Sequence, residues 1–495
     1  MTSNNPDWLI KKVEELVRAT GAGSGIVTVG EGLSVTDDGV LHTTKHIYTV
    51  SPTYGSGGKI HPRHNTCLDK GGRLTTTIEP DNGYKIKDVL VDGISVGPVT
   101  EYLFADIEED HTIEAIFEET PIYGYVLDSS ISNPSNCIYF TDASANLSSE
   151  GRKSKTYSWV KPTIVSQAKI VYDLDRADLT KKADGTVANL DGSDGDVCAS
   201  FQLLWFKLTP VIGGHIQVHI SETEQPGYIT FHKFNGIIRD WIHLGMFEAT
   251  GTTVNSVYST TLKPTVNQSL KTFRSQIQAK NTTLSEALYG IETYLTHIMY
   301  QILFVHAYAS LDSQTVLGNG NTNTSAAIAV GKADLLTCSG EYGSTTTSNT
   351  HVMALFVVNP FGNVWKFMEG CMWYTNSFSF AIDQADIYDI EEEWEGRPTS
   401  WRTIIPGPSG AISAAYVNKF FTKDTHTPFF PSATSGTSST YACDAFWCDT
   451  GARGCVAGGS WANGASAGLF SLTVCDVPGY LYAHIGARLQ ALDAM

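Results

Sequence analysis

The stretch "RGCVAGGSWANGASAGLFSL", residues 453–472, decides the fold of the C-terminal part of this chain. It consists almost entirely of small residues around one tryptophan, Trp461, and one phenylalanine, Phe470. The adjacent glycines Gly458 and Gly459 would let a strand bend or approach its neighbour closely. We therefore expect Trp461 and Phe470 to fill a core beneath a glycine-rich strand.

Two further segments frame this stretch, "NPFGNVWKFMEG" at residues 359–370 and "IGARL" at residues 485–489. In this order the three segments resemble the C-type lectin fold in its formylglycine-generating-enzyme form. That family pairs a Gly-Asn-Val-Trp turn with a Gly-Gly-Ser-Trp strand and a closing Ile-Gly-…-Arg-Leu strand. The resemblance covers residues 121–495 and implies an α+β, C-type lectin-like ligand-binding domain. We expect Arg488 of the closing segment to fix a buried carboxylate.

The resemblance divides into an enzyme branch and a binding branch. The enzymes use a cysteine pair just after the Gly-Gly-Ser motif, whereas here Ala462 and Asn463 follow it and the next cysteine is Cys475. A thiolate is the nucleophile in such chemistry, and this position offers none. No Ser-His-Asp signature, HExxH motif or phosphate loop occurs elsewhere. We therefore expect no catalytic residues, no cofactor and no metal site, and we keep a formylglycine-generating-type enzyme as the less favoured alternative.

The binding branch contains the variable proteins of diversity-generating retroelements. In that family a reverse transcriptase miscopies the adenines of a template, and its favoured Asn codon cannot become Lys, Glu, Gln, Met or Trp. Lys, Glu, Gln and Met make up 60 of the first 424 residues here. At that frequency about nine would fall between Thr425 and Leu489, and none does. A small-residue, β-rich composition explains part of the deficit, so that alternative stays open.

On this interpretation, residues 436–489 form a variable region in which glycine, alanine and tryptophan hold the backbone and scattered residues bind ligand. Tyr, Trp and His provide large, rigid contact area at low entropy cost, as in antibody paratopes. The predicted ligand-binding residues are surface positions of mixed chemistry: Tyr441, Cys443, Asp444, Trp447, Cys448, Asp449, Cys455, Asn463, Ser466, Ser471, Cys475, Asp476, Tyr480, Tyr482 and His484.

Residues 47–120 form a separate β-rich pattern of short alternating strands. Asn82-Gly83 and Asp92-Gly93 mark tight turns between them. Together with Gly57-Gly58, Gly83-Tyr84 and His111-Thr112-Ile113, these turns resemble the divergent internalin-type B repeat of bacterial and phage surface proteins. The resemblance implies a small internalin-B-repeat-like domain that acts as a spacer or adhesion module.

The first 46 residues are predicted to be an attachment segment. Pro6–Thr20 has the apolar spacing of a short amphipathic helix, and the glycine-separated β-runs after it resemble the β-repeats of phage tail-fibre proteins. The beginning of the chain lacks the basic and apolar stretches of a secretory signal. We expect this segment to contact other tail proteins and to favour a homotrimer.

The composition of the chain argues against several classes of binding partner. The formal net charge of -18 argues against nucleic acid and against an anionic membrane surface. No segment reaches the ~18 consecutive apolar residues of a membrane helix, so we expect no membrane insertion. Nine cysteines form an odd number without CxxC spacing, which disfavours a disulfide framework or a zinc site.

An apolar spacing of three and four runs from Leu284 to Ile302 and predicts a buried helix face. Thr283 and Glu286 stand in capping-box spacing at its beginning. His297 and His306 lie in or beside this helix, and we interpret them as structural residues whose ring nitrogens are hydrogen-bonded.

Two acidic stretches carry no site on our interpretation. "DGSDGDVCASFQ", residues 191–202, fails as a calcium loop because Asp196 stands where glycine is needed and Gln202 where glutamate is needed. We interpret it as a solvated turn before a strand. The run Glu391–Gly396 is interpreted as a solvated acidic face.

These observations predict a receptor-binding protein of a phage tail fibre, made in the host cytoplasm and located in the virion. Its partner would be a glycan or protein on a bacterial cell surface, and its role adhesion and host tropism. A bacterial surface adhesin of the same build is the alternative. Neighbouring tail genes, or a nearby reverse transcriptase, would distinguish the two.

Overall fold

The computed structural model describes the chain from residue 33 onward, with gaps, over residues 33–35, 41–43, 46–81, 83–344, 350–374, 376–387, 400–406 and 410–494. The helix predicted at Pro6–Thr20, Asn82 of the predicted Asn82-Gly83 turn and the acidic run Glu391–Gly396 lie outside these residues. The chain divides into two compact units, Met1–Glu119 and Thr120–Met495. In the described residues strands far outnumber helices, and the fold is a β-rich α+β fold.

The first unit is built from strands β1 to β10. In chain order they span Leu33–Val35, Leu41–Thr43, Ile47–Tyr54, Gly58–His61, Thr66–Asp69, Gly72–Pro80, Tyr84–Val91, Ile94–Gly97, Glu101–Ile107 and His111–Glu119. Strands β5-β3-β10-β7-β8 form one sheet and β4-β6-β9 another, while β1 and β2 pair with each other. Alternate residues of both larger sheets point into one core, including Val50, Ile60, Ile78, Phe104 and Ile113.

The Asp92-Gly93 turn is confirmed. Val91 pairs with Ile94 across it, and Asp92 and Gly93 both have positive φ, at 51° and 79°. The Asp92 carboxylate also accepts hydrogen bonds from the backbone N of Thr112 and from Nδ1 of His111, both at 2.7 Å. The turn is therefore tied to the beginning of strand β10.

The second unit contains strands β11 to β34 and helices α1 to α5. The strands span Tyr123–Leu127, Ile138–Thr141, Val160–Ser166, Lys169–Asp173, Asp196–Gln202, Trp205–Val211, His215–Ser221, Lys233–Phe234, Ile237–Ile238, Trp241–Gly245, Tyr289–Ile291, Met353–Ala354, Val357–Val358, Trp365–Tyr374, Ser377–Phe380, Arg402–Ile404, Ile412–Tyr416, Lys419–Phe420, Pro431–Ala433, Ala445–Cys448, Ala452–Ala457, Leu472–Val474, Ile485–Gly486 and Leu489–Leu492. The helices span Asp142–Ala145, Ser149–Ser158, Leu270–Asn281, Tyr294–Tyr308 and Ser313–Leu317, and three 3₁₀ turns span Ala333–Thr337, Gln384–Ile387 and Gly464–Ser466.

Three larger sheets organise this unit, in the strand orders β12-β11-β17-β16, β14-β13-β15-β20-β34-β21 and β26-β25-β24-β31-β32-β30-β27. Strand β33 pairs in parallel with β24 beside the third sheet. The small pairs β18-β19, β22-β23 and β28-β29 complete the sheet structure of the described residues. One continuous hydrophobic core joins the sheets and helices.

Helix α4 passes through this core, and its residues from Tyr294 to Ala307 are buried. Its N-cap is Thr293, whose hydroxyl accepts a hydrogen bond from the backbone N of Thr296 at 3.1 Å. The predicted beginning at Thr283 is wrong. Tyr289–Ile291 instead forms strand β21, which pairs with β34. Long-range strand pairing has overridden the local apolar spacing.

The acidic segment before strand β15 is a turn, as predicted. Asp191 and Ser193 are exposed, and Asp191 Oδ1 accepts a hydrogen bond from the backbone N of Ser193 at 3.0 Å. Asp196 departs from the solvated interpretation, because it is buried and its Oδ2 lies 2.6 Å from Nζ of Lys280. A buried carboxylate needs such a partner.

No helix in the described parts of the chain is both long and apolar enough to cross a membrane.

Candidate ligand-binding surface

The structure divides the predicted ligand-binding residues by burial. Tyr480 is exposed. Nine are half-buried: Tyr441, Trp447, Asp449, Asn463, Ser466, Cys475, Asp476, Tyr482 and His484. The other five are buried: Cys443, Asp444, Cys448, Cys455 and Ser471.

The surface position predicted for these last five residues is wrong. Cys448 and Cys455 lie in strands β30 and β31, inside the third sheet and between other strands. Both faces of β31 are covered, since Cys455 and its neighbour Val456 are each no more than 1% exposed. Ser471 precedes β32 in the same sheet, and Cys443 and Asp444 lead into β30. A small side chain is compatible with a packed interior as well as with a surface, and composition alone does not separate the two.

One group of predicted residues forms an aromatic patch, which we define as Tyr480, Leu481, Tyr482 and His484. The rings of Tyr480 and Tyr482 are in edge-to-face contact at 5.6 Å, and the rings of Tyr482 and His484 lie 5.2 Å apart. Tyr480 is 52% exposed and Leu481 is 62% exposed. Burial lowers the pKa of His484, so its ring is neutral at pH 7. The patch is therefore an uncharged, largely apolar surface.

The aromatic patch lies on the loop between strands β32 and β33. A turn begins it, in which the backbone N of Tyr480 donates to the carbonyl of Val477 at 3.1 Å and Pro478 holds the second position. Three backbone hydrogen bonds from other elements fix the loop: from Leu270 to the carbonyl of Pro478, from Asn267 to that of Tyr482, and from Trp365 to that of His484. A loop held in this way presents its side chains in a defined arrangement.

Trp447 is connected to this loop by Trp365, which contacts both. The two indole rings are in edge-to-face contact at 5.4 Å, and the backbone N of Trp365 donates to the carbonyl of His484 at 2.8 Å. Neither Trp365 nor Leu481 was among the predicted site residues. Leu481 stands between two predicted tyrosines, so its neighbours could have indicated it. Trp365 belongs to the Gly-Asn-Val-Trp turn, which indicates a scaffold position and not a place beside the binding surface.

A charged edge accompanies the patch. Nη2 of Arg453 lies 2.9 Å from Oδ2 of Asp449, and the backbone N of Gly454 donates to the carbonyl of Asp476 at 2.8 Å. Burial raises the pKa of the Asp476 carboxyl, and the nearby Arg453 opposes this shift. Burial also raises the pKa of the neighbouring Cys475 thiol to about 11, so it is protonated at neutral pH and a poor nucleophile.

A second group of predicted residues lies around the short turn Gly464–Ser466. Asn463 Oδ1 accepts hydrogen bonds from the backbone N and the hydroxyl of Ser460, both at 2.8 Å. The Ser466 hydroxyl lies 3.2 Å from the hydroxyl of Tyr416. These contacts occupy the side-chain oxygen of Asn463 inside the protein.

The scaffold positions of the opening stretch follow the prediction in part. Gly458 and Gly459 have φ of 93° and 78°, and a Cβ on Gly459 would lie 2.5 Å from Cβ of Ala467. Phe470 is buried, as predicted. Trp461 is only half-buried, so the prediction that it fills the core is wrong.

Arg488 is a structural residue. Its guanidinium donates to the backbone carbonyls of Gly245, Met246, Val358 and Asn359 at 2.7–3.1 Å. Its Nε lies 3.6 Å from Oε2 of Glu292, which confirms the predicted contact with a buried carboxylate. Arg488 is buried directly before strand β34 and therefore joins this part of the chain to residues 245–246 and 358–359 in the core.

The two histidines of the central helix region are also structural, as interpreted. His306 lies 2.8 Å from the hydroxyl of Ser144 and 2.7 Å from that of Thr156, and His297 lies 3.0 Å from Oε1 of Glu292. In the parts of the chain that the structure describes, no three His, Cys, Asp or Glu side chains are grouped so as to hold a metal ion.

No protein family matches this sequence, and no curated protein matches it either.

Proposed function

We propose that this protein is a receptor-binding protein of a phage tail fibre, with a C-type lectin-like domain that displays a variable ligand-binding surface. The observation that carries the proposal is the aromatic patch. It is partly exposed and uncharged, and hydrogen bonds from three other elements hold its backbone. It lies in the segment Thr425–Leu489, which contains no Lys, Glu, Gln or Met. Clustered aromatic side chains are the usual energetic centre of a protein recognition surface.

The contacts between the three quoted segments support the lectin-type fold. The backbone N of Gly362 donates to the carbonyl of Gly458 at 3.0 Å, and that of Trp461 donates to the carbonyl of Asn363 at 3.0 Å. The Gly-Asn-Val-Trp turn and the Gly-Gly-Ser-Trp segment are therefore neighbours in space. The closing segment contributes β33 beside β24 and β34 between β20 and β21.

The chemistry of the described cysteines supports binding over catalysis. Burial raises the pKa of the thiols of Cys443, Cys448 and Cys475, so each is protonated at neutral pH. A protonated thiol is a weak nucleophile, and the reactive thiolate of the enzyme branch has no counterpart among these three.

The experiment that tests the proposal is to sequence the DNA around the gene. We expect a near-copy of the part that encodes Thr425–Leu489, differing at adenines of the copy, and a reverse-transcriptase gene close by. The differences should fall on codons of half-buried and exposed residues, such as Tyr480 and Tyr482, and should spare Gly458 and Phe470. If no such copy exists, or if its differences concentrate on the buried residues, the variable-surface proposal fails.

A further inference from the structure

The structure also contains a cavity that none of the aromatic-patch residues lines. It is a cavity of about 320 Å³, large enough for a small ligand group, between the beginning of helix α5 and the segment before strand β30. Asp444 forms its buried part, while Asn319, Ser438 and Ala465 are exposed at its opening. The cavity is thus open to solvent and leads to a buried carboxylate.

The carboxylate of Asp444 is incompletely satisfied. The residue is 1% exposed, and its Oδ2 accepts a hydrogen bond from the backbone N of Phe470 at 2.7 Å. Among the described residues Oδ1 accepts no hydrogen bond, although an ionised carboxylate can accept about four. The carboxylate lies directly against Gly468, where an added Cβ would be 2.0 Å from Oδ1. The backbone is therefore shaped to keep this group in place.

The other groups in the cavity leave Asp444 without a cation. Asp312 also faces the cavity, but its two oxygens already accept hydrogen bonds from the backbone N and the hydroxyl of Thr315, at 2.8 and 2.7 Å. The lining residues include two acids and no base. Burial raises the pKa of Asp444, the hydrogen bond from Phe470 opposes this shift, and the charge of Asp312 adds to it, so the ionised form is disfavoured while no cation is bound. A bound cation would pair with the oxygen that accepts no hydrogen bond, and its charge would offset the free-energy cost of ionising this buried carboxyl group.

An organic ammonium fits this donor set better than a metal ion does. Calcium takes roughly six to eight oxygen ligands, and magnesium requires a near-octahedral set. The cavity offers one free carboxylate oxygen together with the neutral side chains of Asn319 and Ser438. An ammonium group has three N–H donors and needs about three acceptors.

We infer that this cavity binds a primary ammonium group, carried either by a small molecule or by a lysine side chain of a partner, with Asp444 as its counter-ion. The inference goes beyond the proposed function. It names a ligand class for a different site, and its test requires neither a host cell nor a variable template.

The test is to titrate the full-length protein with charged and neutral probes by isothermal titration calorimetry. The charged probes are n-butylammonium and the peptide acetyl-Gly-Lys-Gly-amide, and their neutral counterparts are n-butanol and the same peptide with an acetylated lysine. We expect saturable binding of the charged probes only. Tighter binding of butylammonium indicates a small-molecule amine, and tighter binding of the peptide indicates a lysine of a partner.

Three variants test whether the charged probes bind in this cavity. Asp444→Asn keeps an acceptor for Phe470 and removes the charge, so we expect affinity for the charged probes to fall at least tenfold. Asp191→Asn, an exposed carboxylate of the same unit outside the cavity, is the matched control and should bind as the native protein does. Ala465→Lys changes an exposed residue and places a tethered ammonium in the cavity, so it should abolish probe binding with the fold retained.

Three outcomes would overturn the inference. They are equal binding of charged and neutral probes, native affinity in folded Asp444→Asn, and unchanged probe binding in Ala465→Lys. Should Asp444→Asn not fold, Ala465→Lys decides alone, since its site is on the surface.

Discussion

Replacing Phe470 and Tyr480 one at a time with alanine should distinguish the scaffold of the C-terminal unit from its proposed binding surface. Phe470 is 2% exposed, and its ring lies 5.1 Å from that of Phe429 and 6.4 Å from that of Phe304. Truncating a buried phenylalanine costs about 3–5 kcal/mol. We expect Phe470→Ala to lower the free energy of unfolding by about that amount and to reduce the yield of soluble protein.

Tyr480→Ala should behave differently. Half of the Tyr480 side chain is exposed, and its main ring contact is with Tyr482, itself part of the patch. An edge-to-face contact is worth about 0.5–1.5 kcal/mol, and surface substitutions usually stay within about 0.5 kcal/mol. We expect a loss of stability of about 1 kcal/mol or less. If Tyr480 is a binding hot spot, truncating it costs about 2 kcal/mol of binding free energy, roughly a 30-fold weaker dissociation constant.

Two measurements check this contrast. Urea unfolding followed by tryptophan fluorescence reports mainly on the C-terminal unit, because nine of the ten tryptophans follow residue 120. We expect the native protein to bind bacterial cells, and retention of labelled protein on such cells reports on recognition. Tyr480→Phe is the matched control and should keep most of the binding, since it keeps the ring.

The reasoning would be refuted if Tyr480→Ala destabilised the protein as strongly as Phe470→Ala. Native-like stability together with native binding in Tyr480→Ala would remove this residue from the binding surface. Trp461→Ala should lie between the two in stability, because Trp461 is only half-buried.

Four further predictions concern other features of the chain. Burial, and then the charges of Arg152 and Lys155, lower the pKa of His306 to about 3 in the folded protein. As the pH falls below ~6.5, the unfolded state therefore binds a proton on this histidine while the folded state does not, and the free energy of unfolding decreases. His306→Gln should reduce that slope by about 1.4 kcal/mol per pH unit in urea unfolding between pH 6 and 4, and an unchanged slope would contradict the buried neutral ring. All nine cysteines are free, so a thiol reagent should detect nine thiols in the denatured protein. In the folded protein the exposed Cys67 should react before the buried cysteines. A disulfide between any two of them would disprove this. Gly459→Ala should destabilise the C-terminal unit by at least about 1 kcal/mol in the same unfolding assay, because its Cβ would contact Ala467 and its φ is positive; native stability would show that the turn adapts. Light scattering should give the mass of three chains, since linked weak sites gain avidity, and a monomer at micromolar concentration would count against the trimer.

Features governed by local chemistry could be predicted from the sequence. The Asp92-Gly93 turn needs two residues that tolerate positive φ, and the dipeptide indicates this directly. The glycine pair Gly458-Gly459 likewise marked a close approach of the backbone. The beginning of helix α4 could not be predicted, because the strand Tyr289–Ile291 depends on pairing with β34, two hundred residues away.

In the candidate sites, too, residues that are close in sequence could be predicted and residues brought together by the fold could not. Tyr480, Tyr482 and His484 are close in sequence and form one patch, so a segment-level prediction located them. The cavity combines Asp312 with Asp444, which no local pattern connects. The burial of Cys448 and Cys455 could not be predicted, because codons and composition carry no information about burial.

Burial also limits where a variable segment could vary. Miscopying the adenines of an Asn codon can introduce Asp or His. An unpaired charge at Cys455, which lies inside a sheet covered on both faces, would destabilise the fold by several kcal/mol. Typical domains are stable by only about 5–15 kcal/mol, so few such changes would be tolerated. The loop that carries Tyr480 and Leu481 has no such restriction, because its backbone is held by hydrogen bonds from Asn267, Leu270 and Trp365 that do not depend on its side chains. Variation in this protein is therefore tolerated on the aromatic patch and not at the buried positions of strands β30 to β32, and the proposed function requires a template whose differences follow that division.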